Sequence, residues 1–318
     1  MTNRITLLGI DLGGTKLAFA VFTGEGKLAG KEAHSVGQLK GREIGSLIRE
    51  ITGRLLQTYP EICSIGISVP GIYRREKGTV WAPNLEGWDD YPLLAELRET
   101  AGNIPVTIDS DRTCYILGEC WKGNARGSRD AIFLAVGTGI GAGIIIDGTP
   151  LRGSQDIAGC AGWLALTPPF SPSYRACGCL ESQASGQGIV KEALRRLEMN
   201  PAYSGSLKNK SPETLQTADV FKACEEKDEL AVAVIRQCIE LWGMTVANLV
   251  SLFNPEKIIF GGGVFGPARR FIPDIIAEST KWAQPIGMQQ CSIGVTALDG
   301  DAGLFGAGFL ASKNVVSR

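Results

Sequence analysis

The sequence predicts an α/β protein with two lobes that face a shared cleft. The chain has 318 residues, which fits one large or two medium domains better than a single small one. Residues 5–22 contain two apolar runs separated by a glycine-rich turn, and residues 131–148 repeat that pattern around a second such turn. Because the two halves of the chain open in the same way, the pattern indicates a duplicated architecture.

The first half alternates segments of strand and helix character. In order, they are a hairpin of strands at 5–22, a helix at 41–58, a strand from Ile62 to Val69, a loop that carries Asn84 and Trp88, a helix from Pro92 to Ala101 and a short strand at 106–108. The last strand leads into an acid-rich corner at Asp109 and Asp111.

The second half has its own strands and helices after the repeated hairpin. An irregular segment rich in Pro, Ser, Gly and Cys spans residues 154–186. The predicted segments that follow are helices from Gln187 to Glu198, Thr217 to Lys227 and Glu229 to Phe253, a strand from Lys257 to Phe260, and a final helix that begins near an acid at Asp301.

Composition excludes several classes of function. Lys and Arg number 32 and Asp and Glu number 33, so no overall charge attracts nucleic acid or an anionic membrane. We find no apolar run near the roughly 18 residues that a membrane helix needs and no signal peptide, and therefore expect a cytoplasmic protein. The nine cysteines suggest reduced thiols. The single histidine, His34, excludes Ser-His-Asp and Cys-His catalysis.

Three glycine-rich turns each follow a predicted strand. A glycine backbone can approach phosphate oxygens closely and point its N–H groups at them. Each turn alone could instead be a hairpin that needs a positive φ, but the three together favour phosphate binding. None matches the P-loop or the dinucleotide-binding motif. The candidate nucleotide-binding residues are Asp11, Gly13, Gly14, Thr15, Lys16, Gly137, Thr138, Gly139, Gly261, Gly262 and Gly263.

Along nearly its whole length the chain resembles the ROK sugar kinases, members of the actin-like ATPase superfamily. Seven segments in family order carry this resemblance: I-D-L-G-G-T-K at 10–16, S-V-P-G at 68–71, A-P-N-L-E-G-W at 82–88, D-S-D-R-T-C-Y-I-L-G-E at 109–119, V-G-T-G-I-G-A-G-I-I at 136–145, G-C-L-E at 178–181 and I-I-F-G-G-G-V at 258–264.

The resemblance implies a two-lobed actin-like (ribonuclease H-like) fold with duplicated mixed-sheet domains around a central cleft that closes on ATP, Mg²⁺ and a sugar. It implies a small lobe at 1–115, a large lobe at 116–300, a C-terminal helix at 301–318 that packs back on the small lobe, and a homodimer formed through the helix around Trp242. By the same resemblance, Asp111 is the catalytic base, and Asn84 and Glu181 match sugar contacts of the family. We expect Ser110, Asp111 and Trp163 to complete the sugar site, although Ser110 replaces the family's usual asparagine.

The chain departs from the family pattern in the sugar and zinc segments. The usual Glu-x-Gly-His is replaced by Cys160-Ala161-Gly162-Trp163, and only G-C-L-E remains of the cysteine motif. A structural zinc needs four ligands, so we expect none here. We expect packing of Trp163, Phe170 and Tyr174 with the thiols to hold this loop, and a substrate other than glucose bound in the usual way. Trp163 could also be a simple core residue.

Three functions remain open from the sequence. The first is an ATP-dependent kinase that acts on the 6-hydroxyl of a hexose or a derivative. The second is a sugar or ATP sensor that has lost catalysis. The third is a bare ATPase of the same superfamily, which would lack the sugar contacts. A repressor of the same family would need a DNA-reading domain before the first strand, for which we see no room. Asp111 and the glycine turns favour the kinase.

Overall fold

A computed structural model of the chain describes residues 5–316, which separate into two units. The first comprises residues 5–127, 150–158 and 297–316, and the second comprises residues 128–149 and 159–296. The first division falls at residue 127, later than the predicted 115, and the last falls at residue 297, close to the predicted 300. The helix that starts at Asp111 is continuous to Lys122, and the segment 150–158 packs with the first unit although it interrupts the second in sequence.

The strands, in chain order, are β1 (Thr6–Leu12), β2 (Lys16–Thr23), β3 (Leu28–Ser35), β4 (Ile62–Val69), β5 (Ile72–Arg74), β6 (Thr79–Trp81), β7 (Val106–Ser110), β8 (Ala131–Val136), β9 (Ile140–Ile146), β10 (Thr149–Pro150), β11 (Lys257–Gly261) and β12 (Ser292–Val295). The helices are α1 (Arg42–Thr58), α2 (Leu93–Ala101), α3 (Asp111–Lys122), α4 (Cys179–Ala184), α5 (Gly186–Met199), α6 (Thr217–Glu225), α7 (Glu229–Phe253), α8 (Ile272–Trp282), α9 (Pro285–Gln290) and α10 (Ala302–Val316).

The first unit is built on a five-stranded sheet in the order β3-β2-β1-β4-β7. Strands β1 to β3 run antiparallel, while β1, β4 and β7 run parallel. Helix α1 buries Ile44, Ile48, Ile51 and Leu55, which recur at helical spacing, in the hydrophobic cluster of this sheet. Since parallel strands end at one edge of a sheet, β1, β4 and β7 bring Asp11, Ser68 and Asp109 into register.

Helix α10 packs against α3, β1 and β4 of the first unit. Glycines allow this close approach: a Cβ added at Gly66 would lie 1.9 Å from the carbonyl oxygen of Ala307, and one at Gly118 would lie 2.3 Å from that of Ala302. On α10 itself, a Cβ at Gly306 would lie 1.9 Å from the carbonyl oxygen of Cys114 in α3. Leu304 and Ala311 close a cluster with Leu7 and Phe22.

The second unit repeats the plan with a sheet in the order β10-β9-β8-β11-β12, in which β8 and β9 are antiparallel and β8, β11 and β12 are parallel. The predicted duplication of mixed sheets is confirmed. Helix α4 lies within the segment 154–186, which the sequence analysis predicted to be irregular because it is rich in turn-forming residues. Burial of its Cys179, Leu180 and Ala184 stabilises the helix there.

Helix α7 corrects one expectation and bears on a second. It is long and apolar enough to cross a membrane by length and composition, contrary to the sequence analysis, but most of that apolar stretch is buried in the core of the second unit. Its Trp242 is 0% exposed, packs on Phe265 with 5.1 Å between ring centroids and donates its indole N–H to Ala184 O. Trp242 therefore belongs to the core and offers no surface to a second subunit.

Candidate active site

The acidic corner of the first unit contains Asp111, the first residue of α3, directly after β7. Its Oδ1 accepts a hydrogen bond from the backbone N–H of Arg112 at 2.7 Å, and its Oδ2 accepts one from the Tyr115 hydroxyl at 3.4 Å. Burial raises the pKa of the Asp111 carboxyl above its ordinary value, and the positive charge of Arg112 opposes that rise. A buried carboxylate of raised pKa is suited to accept a proton.

Asp11 lies near the end of β1 and faces the same corner. Burial raises the pKa of Asp11 to about 6; the nearby Ser68 hydroxyl opposes the rise, and the negative charges of Asp111 and Asp301 add to it. The fold therefore brings together two carboxylates that are far apart in sequence. Because each disfavours the ionised form of the other, the corner would be stabilised by a bound cation.

The glycine turn between β1 and β2 exposes Gly14, Thr15 and Lys16, and Gly13 donates its N–H to Lys16 O at 2.8 Å. Gly14 shares a small cavity of about 180 Å³ with Asn84. Asn84 stands exposed on a loop anchored by Trp88, which stacks on Tyr91 with 4.2 Å between ring centroids and donates its indole N–H to Gly41 O.

Asp109, which directly precedes Ser110, is the centre of a charged network in the first unit. Its Oδ2 accepts hydrogen bonds from Arg152 Nη2 at 2.6 Å, Arg152 Nε at 3.0 Å and Arg75 Nη2 at 3.0 Å, and its Oδ1 accepts the N–H of Ser110. Arg75 also pairs with Asp156. The sequence analysis noted Asp109 but missed Arg75, Arg152 and Asp156, because no local motif marks arginines that converge from separate loops.

Ser110 is held inside this corner. It is buried, and its hydroxyl lies 3.2 Å from that of Thr113. The two hydroxyls that stand near Asp111 in sequence therefore satisfy each other. A contact between Ser110 and a sugar remains a prediction.

The second unit contains a cavity of about 840 Å³ beside the turn between β8 and β9. Of the predicted nucleotide-binding residues, Gly137, Thr138 and Gly263 line it. The sequence analysis missed most of the wall, which comes from α5, α6, the loop between them and the segment after β11: Gly186, Gln187, Val190, Lys191, Leu194, Pro212, Leu215, Gln216, Thr217, Ala218, Phe221, Val264 and Pro267. In the sequence, the predicted helix starts and the small residues at 186 and 217 were the only features that could have indicated this wall.

Five of the seven predicted glycines divide into two groups. Gly261 and Gly262 are required by the fold, because a Cβ at Gly261 would lie 2.2 Å from the Phe133 ring, and Gly262 has a φ of +88°. In contrast, Gly14, Gly137 and Gly263 lack a positive φ, and a Cβ there would meet no atom of the described residues within 4 Å. The hairpin explanation, a need for positive φ, thus fails for these three.

Glu181 projects from α4 toward the turn after β8. Its Oε2 accepts the backbone N–H of Ile140 at 2.6 Å, and Cβ atoms at Gly139 or Gly162 would lie 2.7 Å and 2.9 Å from that oxygen. Burial raises the pKa of Glu181, and the hydrogen bond from Ile140 opposes the rise. The carboxylate keeps partial exposure, so a ligand could reach it.

The expectation that aromatic packing holds the loop before α4 is wrong. Trp163 is 56% exposed and Phe170 is 64% exposed, and Phe170 contacts Tyr174 only edge to face at 6.2 Å between centroids. Backbone hydrogen bonds hold the loop instead, among them Gly178 N–H to Tyr174 O at 2.8 Å. Trp163 is therefore not a core residue. Within residues 5–316, no three His, Cys, Asp or Glu side chains group to hold a metal ion, and the zinc prediction stays untested.

Comparison with known proteins identifies the family. The ROK family profile matches residues 7–314. Glucokinase of Thermotoga maritima is 31% identical over 98% of this chain and 99% of its own, and the xylose repressor of Caldicellulosiruptor bescii is 33% identical over 80% of this chain and 65% of its own. A ROK family glucokinase from Streptomyces griseus, solved in complex with glucose and AMPPNP, superposes with a TM-score of 0.79, is 28% identical and covers 97% of this chain and 99% of that one.

The profile extends across both units, and the two mixed sheets have the actin-like ATPase fold of the ROK structural neighbours. Because the match covers the acidic corner, the three glycine turns and both sheets, this chain belongs to the ROK family.

Proposed function

We propose that the chain is a sugar kinase that transfers the γ-phosphate of ATP to the 6-hydroxyl of a hexose or hexose derivative. The observation that carries this proposal concerns Gly14, Gly137 and Gly263. Neither the backbone φ nor packing against described residues requires glycine at these positions. A ligand that approaches the backbone closely does require it. The relatives named glucokinase support the same activity.

The cavity of the second unit suits the nucleotide. Its volume of about 840 Å³ lies within the range of small-molecule sites, and it combines apolar walls with a few polar groups. In this proposal the base and ribose occupy the cavity, and the phosphates lie along Gly137 and Thr138. Phosphate oxygens would accept hydrogen bonds from backbone N–H groups there. Thr15, in the turn after β1, stays a predicted phosphate contact.

Asp111 is the proposed base. The 6-hydroxyl oxygen attacks the γ-phosphorus, its proton passes to an Asp111 carboxylate oxygen, and ADP leaves with the electrons of the broken bond. Phosphoryl transfer depends chiefly on positioning and charge neutralisation, so the carboxylate orients the hydroxyl and takes the proton late. The hydrogen bonds from Arg112 N–H and the Tyr115 hydroxyl fix the orientation of that carboxylate.

Asp11 is the proposed holder of a magnesium ion or of its bound water. The group fits because two acids, Asp11 and Asp111, lie close enough for each charge to raise the other's energy, and Asp11 has a pKa raised to about 6. When bound, Mg²⁺ neutralises charge on the phosphates. Asp11 itself contributes a fixed carboxylate at the end of β1, where the sheet keeps it in place.

The pocket residues favour a substrate other than glucose bound in the usual way. Trp163 stands where the family has a sugar-contacting histidine, and an indole offers a face for stacking and one donor but no acceptor. Its exposure leaves it available to a sugar. Asn84 and Glu181 supply the remaining polar contacts in this proposal. A comparison of kcat/KM across sugars contradicts it if glucose is clearly preferred.

The test is ADP release from ATP and Mg²⁺ across a panel of sugars, amino sugars and sugar acids. We expect sugar-dependent turnover in the native protein and its loss in Asp111→Asn. Asp147→Asn is the matched control, because Asp147 is a surface acid that is 79% exposed and should leave turnover unchanged. Equal turnover in all three proteins would refute the role of Asp111.

A second candidate is a sensor that binds sugar or ATP without catalysis, and the similarity to a xylose repressor favours keeping it. A sensor predicts thermal stabilisation by a sugar with no ADP release in the same wells. We expect a cytoplasmic homodimer, as the sequence analysis did, with an interface that excludes Trp242; size-exclusion chromatography with light scattering tests the subunit number.

A further inference from the structure

Glu181 makes a contact that a sugar ligand does not need. Its carboxylate oxygen accepts the N–H of Ile140 at 2.6 Å, directly after the turn formed by Gly137, Thr138 and Gly139. Helix α4 ends at Ala184, and Gly186, the first residue of α5, donates its N–H to Gly137 O at 2.8 Å. One segment of chain thus holds the turn at both of its ends.

The space around this carboxylate is shaped to keep it there. A Cβ at Gly139 would lie 2.7 Å from Glu181 Oε2, and one at Gly162 would lie 2.9 Å from both Oε2 and Cβ of Glu181. Glycine at these two positions leaves only enough room for the carboxylate to lie against the backbone. The turn that it holds lines the cavity proposed for the nucleotide through Gly137 and Thr138.

We propose that Glu181 is a positioning residue for the nucleotide site, which fixes the phosphate-binding turn through the N–H of Ile140 in addition to any contact with the sugar. The inference rests on the proposed function in that the ligand of the turn is a nucleotide. A sugar hydroxyl that binds Glu181 alters a group that also holds the turn, so sugar and nucleotide affinities are coupled, and by linkage the coupling is reciprocal.

The test uses the full chain without sugar, where a sugar-contacting role alone has no effect. Glu181→Met removes the acceptor, whereas Glu181→Gln keeps a carbonyl oxygen that can accept the Ile140 N–H. We expect the Kd for AMPPNP with Mg²⁺, measured by calorimetry, to rise at least about fivefold in Glu181→Met and to change less than twofold in Glu181→Gln, because the acceptor of the Ile140 N–H is lost only in the first.

Gln183→Met is the matched control on the same helix. Gln183 bonds Thr167 and Cys179 and does not touch the turn, so its replacement should leave the AMPPNP affinity within twofold of the native value. Gly162→Ala is a second variant that keeps Glu181 but displaces its carboxylate. Gly162→Ala should weaken nucleotide binding as Glu181→Met does. If Glu181→Met does not fold, Gly162→Ala tests whether Glu181 positions the turn.

Hydrogen exchange provides a readout independent of nucleotide. Peptides covering residues 137–140 should exchange faster in Glu181→Met and Gly162→Ala than in the native protein or Gln183→Met. Unchanged exchange together with unchanged AMPPNP affinity overturns the inference and leaves Glu181 as a sugar contact only. If the native protein binds no nucleotide, the proposed kinase fails, and exchange alone decides whether Glu181 positions the turn.

Discussion

Replacing Arg152 by methionine should destabilise the protein far more than the same replacement at Arg75. Both arginines bond Asp109 Oδ2, but the side chain of Arg152 is 20% exposed and makes two of the bonds, whereas that of Arg75 is 45% exposed and makes one. The Asp109 side chain is 5% exposed. Breaking a buried pair costs about 3–5 kcal/mol, while an exposed pair contributes about 0–1 kcal/mol.

The free energy of unfolding from urea denaturation should therefore fall by about 3–5 kcal/mol in Arg152→Met and by no more than about 1 kcal/mol in Arg75→Met. The corresponding drop in Tm is roughly 6–20 °C for Arg152→Met. Adding Asp109→Asn to Arg152→Met should cost less than the two single changes together, because no unpaired buried charge remains. Equal losses in the two arginine variants, or strict additivity in the double variant, would refute this account.

Three further predictions concern the site. Because the pKa of Asp11 is raised to about 6 in the folded state, the folded protein binds more protons than the unfolded chain between about pH 4 and 6, so the free energy of unfolding should fall by on the order of 3 kcal/mol as pH rises through that window. Urea denaturation at a series of pH values should show this slope in the native protein and lack it in Asp11→Asn. Mg²⁺ should stabilise only the native protein, most strongly above pH 6. Gly262→Ala places a Cβ at a backbone φ of +88° and 2.4 Å from Val136 O, so its Tm should fall. Gly263→Ala should keep the native Tm and weaken AMPPNP binding. A native Tm in Gly262→Ala would contradict the conclusion that the fold requires glycine at 262. Trp163→Ala should change the free energy of unfolding by less than about 0.5 kcal/mol and raise the KM for the sugar, and an unchanged KM would remove Trp163 from the substrate site.

Much of the fold followed from local patterns. The hairpins of β1 with β2 and of β8 with β9, the strand at Ile62–Val69 and the helix at Glu229–Phe253 lie where periodicity predicts them. Strand β3 was not predicted, because its alternating exposure and its Gly30, Lys31 and Glu32 resemble a polar loop in sequence. Its place at the sheet edge comes from pairing with β2, which no local pattern encodes.

The candidate site could be predicted only where residues act through short motifs. The glycine turns and the acidic corner are contiguous in sequence, so their residues were found. Arg75, Arg152 and Asp156 were missed because tertiary structure alone brings them to Asp109. Trp163 and Phe170 were assigned to packing since large apolar side chains are usually buried, yet the structure leaves both exposed.

The position of α10 has a consequence for the order in which the protein can fold on the ribosome. All segments of the second unit, up to residue 296, are synthesised before α10, whereas the sheet that α10 covers is made first. Until α10 emerges, Leu7 and Phe22 on that sheet lack the apolar surface of Leu304 and Ala311. The second unit can therefore complete its core during translation. The face of the first sheet that α10 covers stays exposed until α10 is synthesised, and chaperones can bind it during that time.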